Sequence, residues 1–281
     1  MPKQIVSRFL AVPTLVLAML LSFVAATPAQ AADRTSQTEA RRVDRVKTPR
    51  LTWVEAEDGG GYSATVKLPR DYDSPHGATV TLALFKVPAA DPARKIGTLF
   101  LNPGGPGGSG VDIARAATSF LSQSVLDRFD IVGFDPRGTN SSSRVLCFSS
   151  SGRQGAALAG MGAAFPNTGT EEKNFIAAGK KLASGCSGYG AAMASSMSTA
   201  EVARDLDVLR RAVGDAKLNY LGFSYGSYLG AVYANMFPDR FRALVIDGVL
   251  DPVAYAGTRA TRSVPTTIRI KSGEASWKAL T

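Results

Sequence analysis

Leu218-Asn219-Tyr220-Leu221-Gly222-Phe223-Ser224-Tyr225-Gly226-Ser227 reads as a short apolar strand entering a glycine-flanked turn and leaving it as a helix. The helix is predicted from Ser227 to Met236, where Phe237-Pro238 stops it. A turn that sharp strains the backbone of Ser224, while Gly222 and Gly226 let neighbouring segments come close. It also leaves unpaired N–H groups at the helix start, where they stabilise an anion. Ser224 is therefore the candidate nucleophile. The five residues alone do not separate this reading from a plain glycine-rich turn.

The flanking sequence repeats the same grammar. Thr98-Leu99-Phe100-Leu101 is a buried strand, followed by a predicted helix over roughly 111–126. Asp130-Ile131-Val132-Gly133-Phe134 is the next strand, ending in Asp135-Pro136-Arg137-Gly138. Ser198-Thr199-Ala200-Glu201 has the form of a capping box, and the helix it opens sets Val202, Leu206, Leu209 and Val213 on one face. Ala243-Leu244-Val245-Ile246 is a further buried strand. Short apolar strands alternating with helices predict a mostly parallel sheet with helices on both faces. Upstream, Leu51-Thr52-Trp53, the stretch from Tyr62 to Leu68 and the alternating stretch from Thr79 to Phe85 predict an antiparallel section. The Gly-, Ala- and Ser-rich stretch from Ser149 to Thr170 is expected as a surface excursion, and there are no internal repeats.

The 281 residues are 45% hydrophobic and 20% charged, enough to bury a core. The formal charge of +9 raises the question of nucleic acid, but its distribution answers otherwise. Arg34, Arg41, Arg42, Arg45, Lys47 and Arg50 cluster in one polar stretch, and no basic stripe is interleaved with aromatics. Residues 32–50 are thus expected as a flexible basic leader, without a nucleic-acid partner.

Residues 1–31 are expected to be a signal peptide. Lys3 and Arg8 precede an apolar run, and Ala29-Gln30-Ala31 has the small-x-small cleavage pattern. Export with cleavage near Ala31 leaves no stable membrane anchor and predicts a secreted, extracellular or wall-associated protein. In an oxidising compartment Cys147 and Cys186, the two cysteines present, are expected to pair rather than stay as buried thiols. One histidine and two distant cysteines make no recognisable metal site, so neither metal nor cofactor is expected.

Asn102-Pro103-Gly104-Gly105-Pro106-Gly107-Gly108-Ser109-Gly110 follows the first parallel strand, and its glycines let backbone N–H groups approach a developing alkoxide. No Gly-Lys-Ser/Thr follows, which counts against a phosphate loop. This loop, Asp135 to Gly138, Gly222 to Ser227, and Asp247-Gly248-Val249-Leu250-Asp251-Pro252 occur in this order. Together they resemble secreted tripeptidyl aminopeptidase-like α/β-hydrolases, relatives of proline iminopeptidase. The likeness runs from about residue 51 onward. It implies an α/β-hydrolase fold and a serine exopeptidase that releases short peptides from substrates with a free N-terminus through an acyl-enzyme. It carries Ser224 over as nucleophile and the N–H groups of Tyr225 and of Gly105, or of its neighbour Gly104, as the oxyanion hole. Arg137 would be a structural residue beside the site.

The sequence departs from that pattern after Asp247. In the family a helical cap follows, and the catalytic acid and histidine come from later strand ends. Here His76 is the one histidine, and it precedes the serine in a turn cluster. Asp247 and Asp251 are expected to end a strand rather than act as the acid. The expected organisation is therefore 51–252 as the N-terminal part of the hydrolase domain. Residues 253–281 then form the truncated start of a cap, with Ser272 to Leu280 opening a helix and the final strands and cap missing. Such a chain is expected to be inactive. A secreted esterase, which uses the same machinery on another acyl group, and a non-catalytic peptide-binding homologue are the alternatives.

Overall fold

Near-continuous apolar runs along the central strands are buried on both faces of one sheet. The structure, a computed structural model, describes residues 28–163, 165–252 and 255. In chain order it contains α1 (Pro28–Asp44), β1 (Val54–Glu55), β2 (Tyr62–Pro69), β3 (Thr79–Val87), β4 (Gly97–Asn102) and α2 (Gly110–Arg115). Then come α3 (Gln123–Leu126), β5 (Phe129–Phe134), α4 (Ser151–Leu158), α5 (Gly169–Ser187) and α6 (Ala191–Ala194). The last elements are α7 (Thr199–Ala212), β6 (Leu218–Phe223), α8 (Tyr225–Met236) and β7 (Phe241–Asp247). The expected signal peptide up to residue 27, and the expected cap region apart from Tyr255, lie outside the described residues, as does the stretch from Ser272 to Leu280.

The strands form one sheet in the order β1-β2-β3-β5-β4-β6-β7. The first three and the β3–β5 pair are antiparallel; β5, β4, β6 and β7 run parallel. Successive residues of a strand face opposite ways, so each strand feeds two cores. Phe100, Val132, Phe134 and Tyr220 point to one face, where Leu206, Leu209, Leu229, Tyr233 and Val43 pack against them. Leu101 and Ile131 point to the other, against Ala117, Ile113 and Leu126. From β4 the chain moves to β5 on one side and later to β6 on the other. The carboxyl ends of β4 and β6 therefore flank the switch point where open α/β sheets form a crevice.

Three local expectations need correction. Residues 51–53 are not a strand; the ladder starts at Val54, opposite Ser63, while Leu51 and Trp53 pack against the core. The helix expected over 111–126 is interrupted: α2 ends at Arg115, a 3₁₀ turn covers Ala117–Ser119, and α3 restarts after an extended Ser122. Serine side chains compete with helical bonding here, as Ser119 Oγ donates to the Ala116 carbonyl at 2.7 Å.

The third concerns residues 32–50, which are not a loose leader in this structure. Residues up to Asp44 belong to α1, whose Val43 is wholly buried. Arg204 donates to both Glu39 carboxylate oxygens at 2.7 and 3.0 Å, and Arg240 reaches Asp44 at 2.7 Å. Arg211 caps the helix end through the Val43 carbonyl at 2.8 Å. The partners lie about half the chain away, so nothing local in the sequence announces them.

The excursion between the cysteines is helical, comprising α4, α5 and α6, and largely exposed. Cys147 and Cys186 are disulfide-bonded, tying its two ends. No helix among the described residues is long and apolar enough to cross a membrane.

Candidate active site

The turn at the end of β6 places Ser224 on the surface with φ 52° and ψ −120°, in a region that non-glycine residues avoid. Several bonds hold it there. Ser224 N–H donates to the Asp247 carbonyl at 2.8 Å, tying the turn to the end of β7. Ser227 Oγ donates to the Ser224 carbonyl at 2.6 Å and accepts from Leu250 N–H at 3.0 Å. Buried Tyr220 donates its hydroxyl to the Gly226 carbonyl at 2.8 Å. Gly226 is required because a side chain there would strike Asn102.

The loop after β4 lies directly against this turn. Gly104, at φ +89°, packs against the Phe223 carbonyl, and a Cβ on it would stand 2.9 Å from the Tyr225 nitrogen. Buried Asn102 shapes the loop: its Oδ1 accepts the Gly104 N–H at 2.9 Å. The two glycines expected to share one role thus separate. Gly104 has its N–H committed to Asn102, whereas no hydrogen bond of the Gly105 N–H is found among the described residues. Tyr225, as the first residue of α8, has no carbonyl one turn earlier in its helix to accept its N–H. The Tyr225 side chain is fixed separately, sharing a 2.6 Å hydrogen bond with Thr199 at the start of α7. Burial raises the Tyr225 phenol above its usual range, with the Thr199 bond opposing, so the ring stays neutral.

Behind the loop, buried Asp135 accepts from Ser109 Oγ at 2.7 Å and from Ser141 N–H at 2.9 Å. It thereby joins the glycine loop to the turn after β5. Arg137, in that turn, is fully enclosed and donates two bonds to Asp205 of α7, at 2.6 and 2.7 Å. It also donates to the Pro69 and Arg70 carbonyls at 2.9 and 2.7 Å. Burial would lower its pKa, but the charge of Asp205 outweighs this and holds the guanidinium protonated. Tyr72 donates to the same carboxylate at 2.9 Å. Nothing local in the sequence marks Asp205, Tyr72, Asn102 or Thr199 as supports. Each acts through a partner remote in sequence or through the backbone.

His76 is exposed in the turn between β2 and β3. β3 and β6 stand three strand positions apart in the sheet, about 14 Å at ordinary strand spacing. His76 is not brought to Ser224. Asp247 meets Ser224 through its backbone carbonyl, with its side chain exposed. A groove lined by Ala93, Arg94, Lys95, Ile96 and Arg128 lies at the start of β4, the opposite end of the strands from Ser224.

A family profile described as alpha/beta hydrolase fold matches residues 97–262. The chain belongs to this family. The serine protease Hip1 of Mycobacterium tuberculosis is 39% identical over 201 residues, covering 70% of this chain and 37% of the relative. The tripeptidyl aminopeptidase of Streptomyces lividans is 38% identical over 190 residues, 66% of this chain and 35% of the relative. Carboxylesterase B of M. tuberculosis is 39% identical over 191 residues, 67% and 36%. The matched stretch thus spans little more than a third of these relatives. Among solved structures, the proline iminopeptidase-related protein of Thermus thermophilus aligns over 66% of this chain and 44% of its own, with 16% identity and a TM-score of 0.36. The family match shows the α/β-hydrolase fold, and the curated relatives that share this stretch are named as a serine protease, an aminopeptidase and a carboxylesterase.

Proposed function

We propose that this chain carries the nucleophile and oxyanion half of an exported serine peptidase that removes short peptides from free N-termini. The observation that carries this is the strained, exposed Ser224 packed against a glycine loop. In the proposed reaction Ser224 Oγ attacks the scissile carbonyl carbon, and the carbonyl oxygen becomes an alkoxide. The N–H groups of Tyr225 and Gly105 face that alkoxide, as oxyanion-hole donors do. Gly104 provides clearance rather than a donor. The C–N bond then breaks, the amine leaves with a proton, and water hydrolyses the ester on Ser224.

Each proton transfer needs a base beside the hydroxyl. With His76 in a distant turn, these residues bring no imidazole to Ser224. We therefore read the polypeptide as idle in turnover by itself. The apolar run and the Ala29-Gln30-Ala31 pattern support export. The peptidase reading leads over an esterase because Hip1 and the tripeptidyl aminopeptidase are both named for peptide cleavage.

The test has two parts. The chain is expected to release no tripeptide from tripeptidyl anilides. Prolonged exposure to a peptidyl phosphonate is expected to label Ser224 slowly, as read by mass spectrometry, and Ser224→Ala is expected to abolish the label. Labelling that ignores Ser224→Ala refutes the nucleophile assignment. Anilide cleavage that survives His76→Ala but not Ser224→Ala reveals another base and refutes the idle reading.

A further inference from the structure

Aromatic residues flank Ser224 in sequence. Phe223 meets Phe120 edge to face, with ring centroids 6.2 Å apart. Tyr225, the next residue after Ser224, and Tyr228, three positions on along α8, share a helix face and are joined by Tyr255 from beyond β7. The three tyrosine centroids are 5.9, 6.1 and 5.2 Å apart, each pair tilted by 51–54°. Tyr255 remains 41% exposed, so the cluster is a surface wall beside the serine and not a sealed core.

Resting on the reading of Ser224 as nucleophile, we propose that this tyrosine wall is a specificity subsite. Its ligand is the bulky apolar side chain, aromatic or long aliphatic, of the residue whose carbonyl is attacked. Tyr225 places the wall there, because its backbone adjoins the attacked carbonyl while Thr199 fixes its ring. The spacing favours an apolar ligand over a cation. The rings touch one another and present a continuous surface, whereas a cation cage keeps a gap between its faces. Filling or emptying such a hydrophobic subsite changes affinity by about tenfold or more.

Equilibrium binding tests this without turnover. Tripeptides with a free N-terminus, ending in Phe, Leu, Ala or Asp, are titrated calorimetrically into the 281-residue chain. Phe and Leu are expected to bind about tenfold more tightly than Ala, with Asp weakest. The preference is expected to collapse in Tyr228→Ala and Tyr255→Ala and to persist in Tyr228→Phe, Tyr255→Phe and Ser224→Ala. Circular dichroism confirms that each variant folds; Tyr255→Ala, on a half-exposed ring, is the safer of the two. Equal affinity for Phe and Ala overturns the proposal, as does a preference that survives both alanine variants. So does a preference that, in longer peptides, follows the residue on the leaving side. Failure of phosphonate labelling with the preference intact refutes the nucleophile and spares the wall; the reverse refutes the wall alone.

Discussion

Gly104 lies so close to Tyr225 that a methyl group on it would stand 2.9 Å from the Tyr225 nitrogen and overlap the Phe223 carbonyl. The loop after β4 and the turn after β6 are thus one packed unit, in which neither backbone has room to adjust. Gly104→Ala is expected to lower stability by about 2 kcal/mol or more, combining a positive φ with a backbone clash. Gly107→Ala is the control. It shares a positive φ of +101° but meets only the Thr139 methyl at 3.8 Å, so it should cost about 1–2 kcal/mol. Urea midpoints at constant m compare the two.

Asp205 supports a fully enclosed guanidinium. Asp205→Ala removes the carboxylate that takes both prongs of the Arg137 fork and leaves the buried charge with only Glu201, at 3.5 Å, as a counter-ion, an expected loss of about 3–5 kcal/mol. Adding Arg137→Met to Asp205→Ala should cost far less than the sum of the single changes, since no unpaired charge then remains. A double-mutant cycle from denaturant unfolding measures this.

Acid should loosen α1 from α7. Burial pushes the Glu39 carboxyl up, but the Arg204 hydrogen bonds and charge, helped by Arg42, outweigh it and hold its pKa below the usual glutamate range. A depressed carboxyl pKa contributes stability that is complete above the unfolded value and disappears as pH falls through the folded one. Glu201, raised by burial despite Arg204 and Arg137, has the opposite slope and gains on acidification. Protection of the amides of residues 39–46, taken relative to their intrinsic exchange rate at each pH, should therefore fall as the pH drops below the ordinary glutamate range. Glu39→Gln should make that protection low throughout and flatten its pH dependence.

The Cys147–Cys186 bond closes 39 residues of sequence. Restricting the unfolded chain over such a loop is worth about 4 kcal/mol. Replacing both cysteines by serine should lower the melting temperature, with proteolytic cuts appearing first in α4 and α5, whose side chains are mostly exposed. A melt unchanged by the double replacement would show that the excursion folds without the bond.

The apolar strands and their glycine turns were legible because their signals are local. β7, expected as a buried strand, nevertheless has Ala243 and Val245 exposed, because no further strand or helix among the described residues covers that face. β4, β5, β6 and β7 each carry an apolar run beside a turn, and Ser224 stands out by its two glycines. The supports were not legible. Glu39 meets Arg204 across 165 residues, and Tyr72 meets Asp205 across 133, so a polar stretch rich in arginine resembled a solvated leader. The Ser198–Glu201 box was half right. Ser198 Oγ accepts the Glu201 N–H at 3.2 Å, but the Glu201 carboxylate turns to Arg204 instead of completing the box. The full reciprocal box is Thr168–Glu171, at the start of α5. The glycine pattern leaves Gly105 and its neighbour Gly104 as alternative donors, because it cannot reveal that Asn102 accepts the Gly104 N–H.

The bond from Ser224 N–H to the Asp247 carbonyl imposes an order of assembly. A positive φ at a serine costs on the order of 1–3 kcal/mol, and it persists only where surrounding structure over-determines it. Here one of the fixing groups belongs to the last strand of the described sheet, 23 residues further along the chain. A chain in which β7 has not yet paired with β6 lacks this restraint, and its serine is free to relax into an ordinary turn. The reactive shape is therefore withheld until β7 has zipped onto β6.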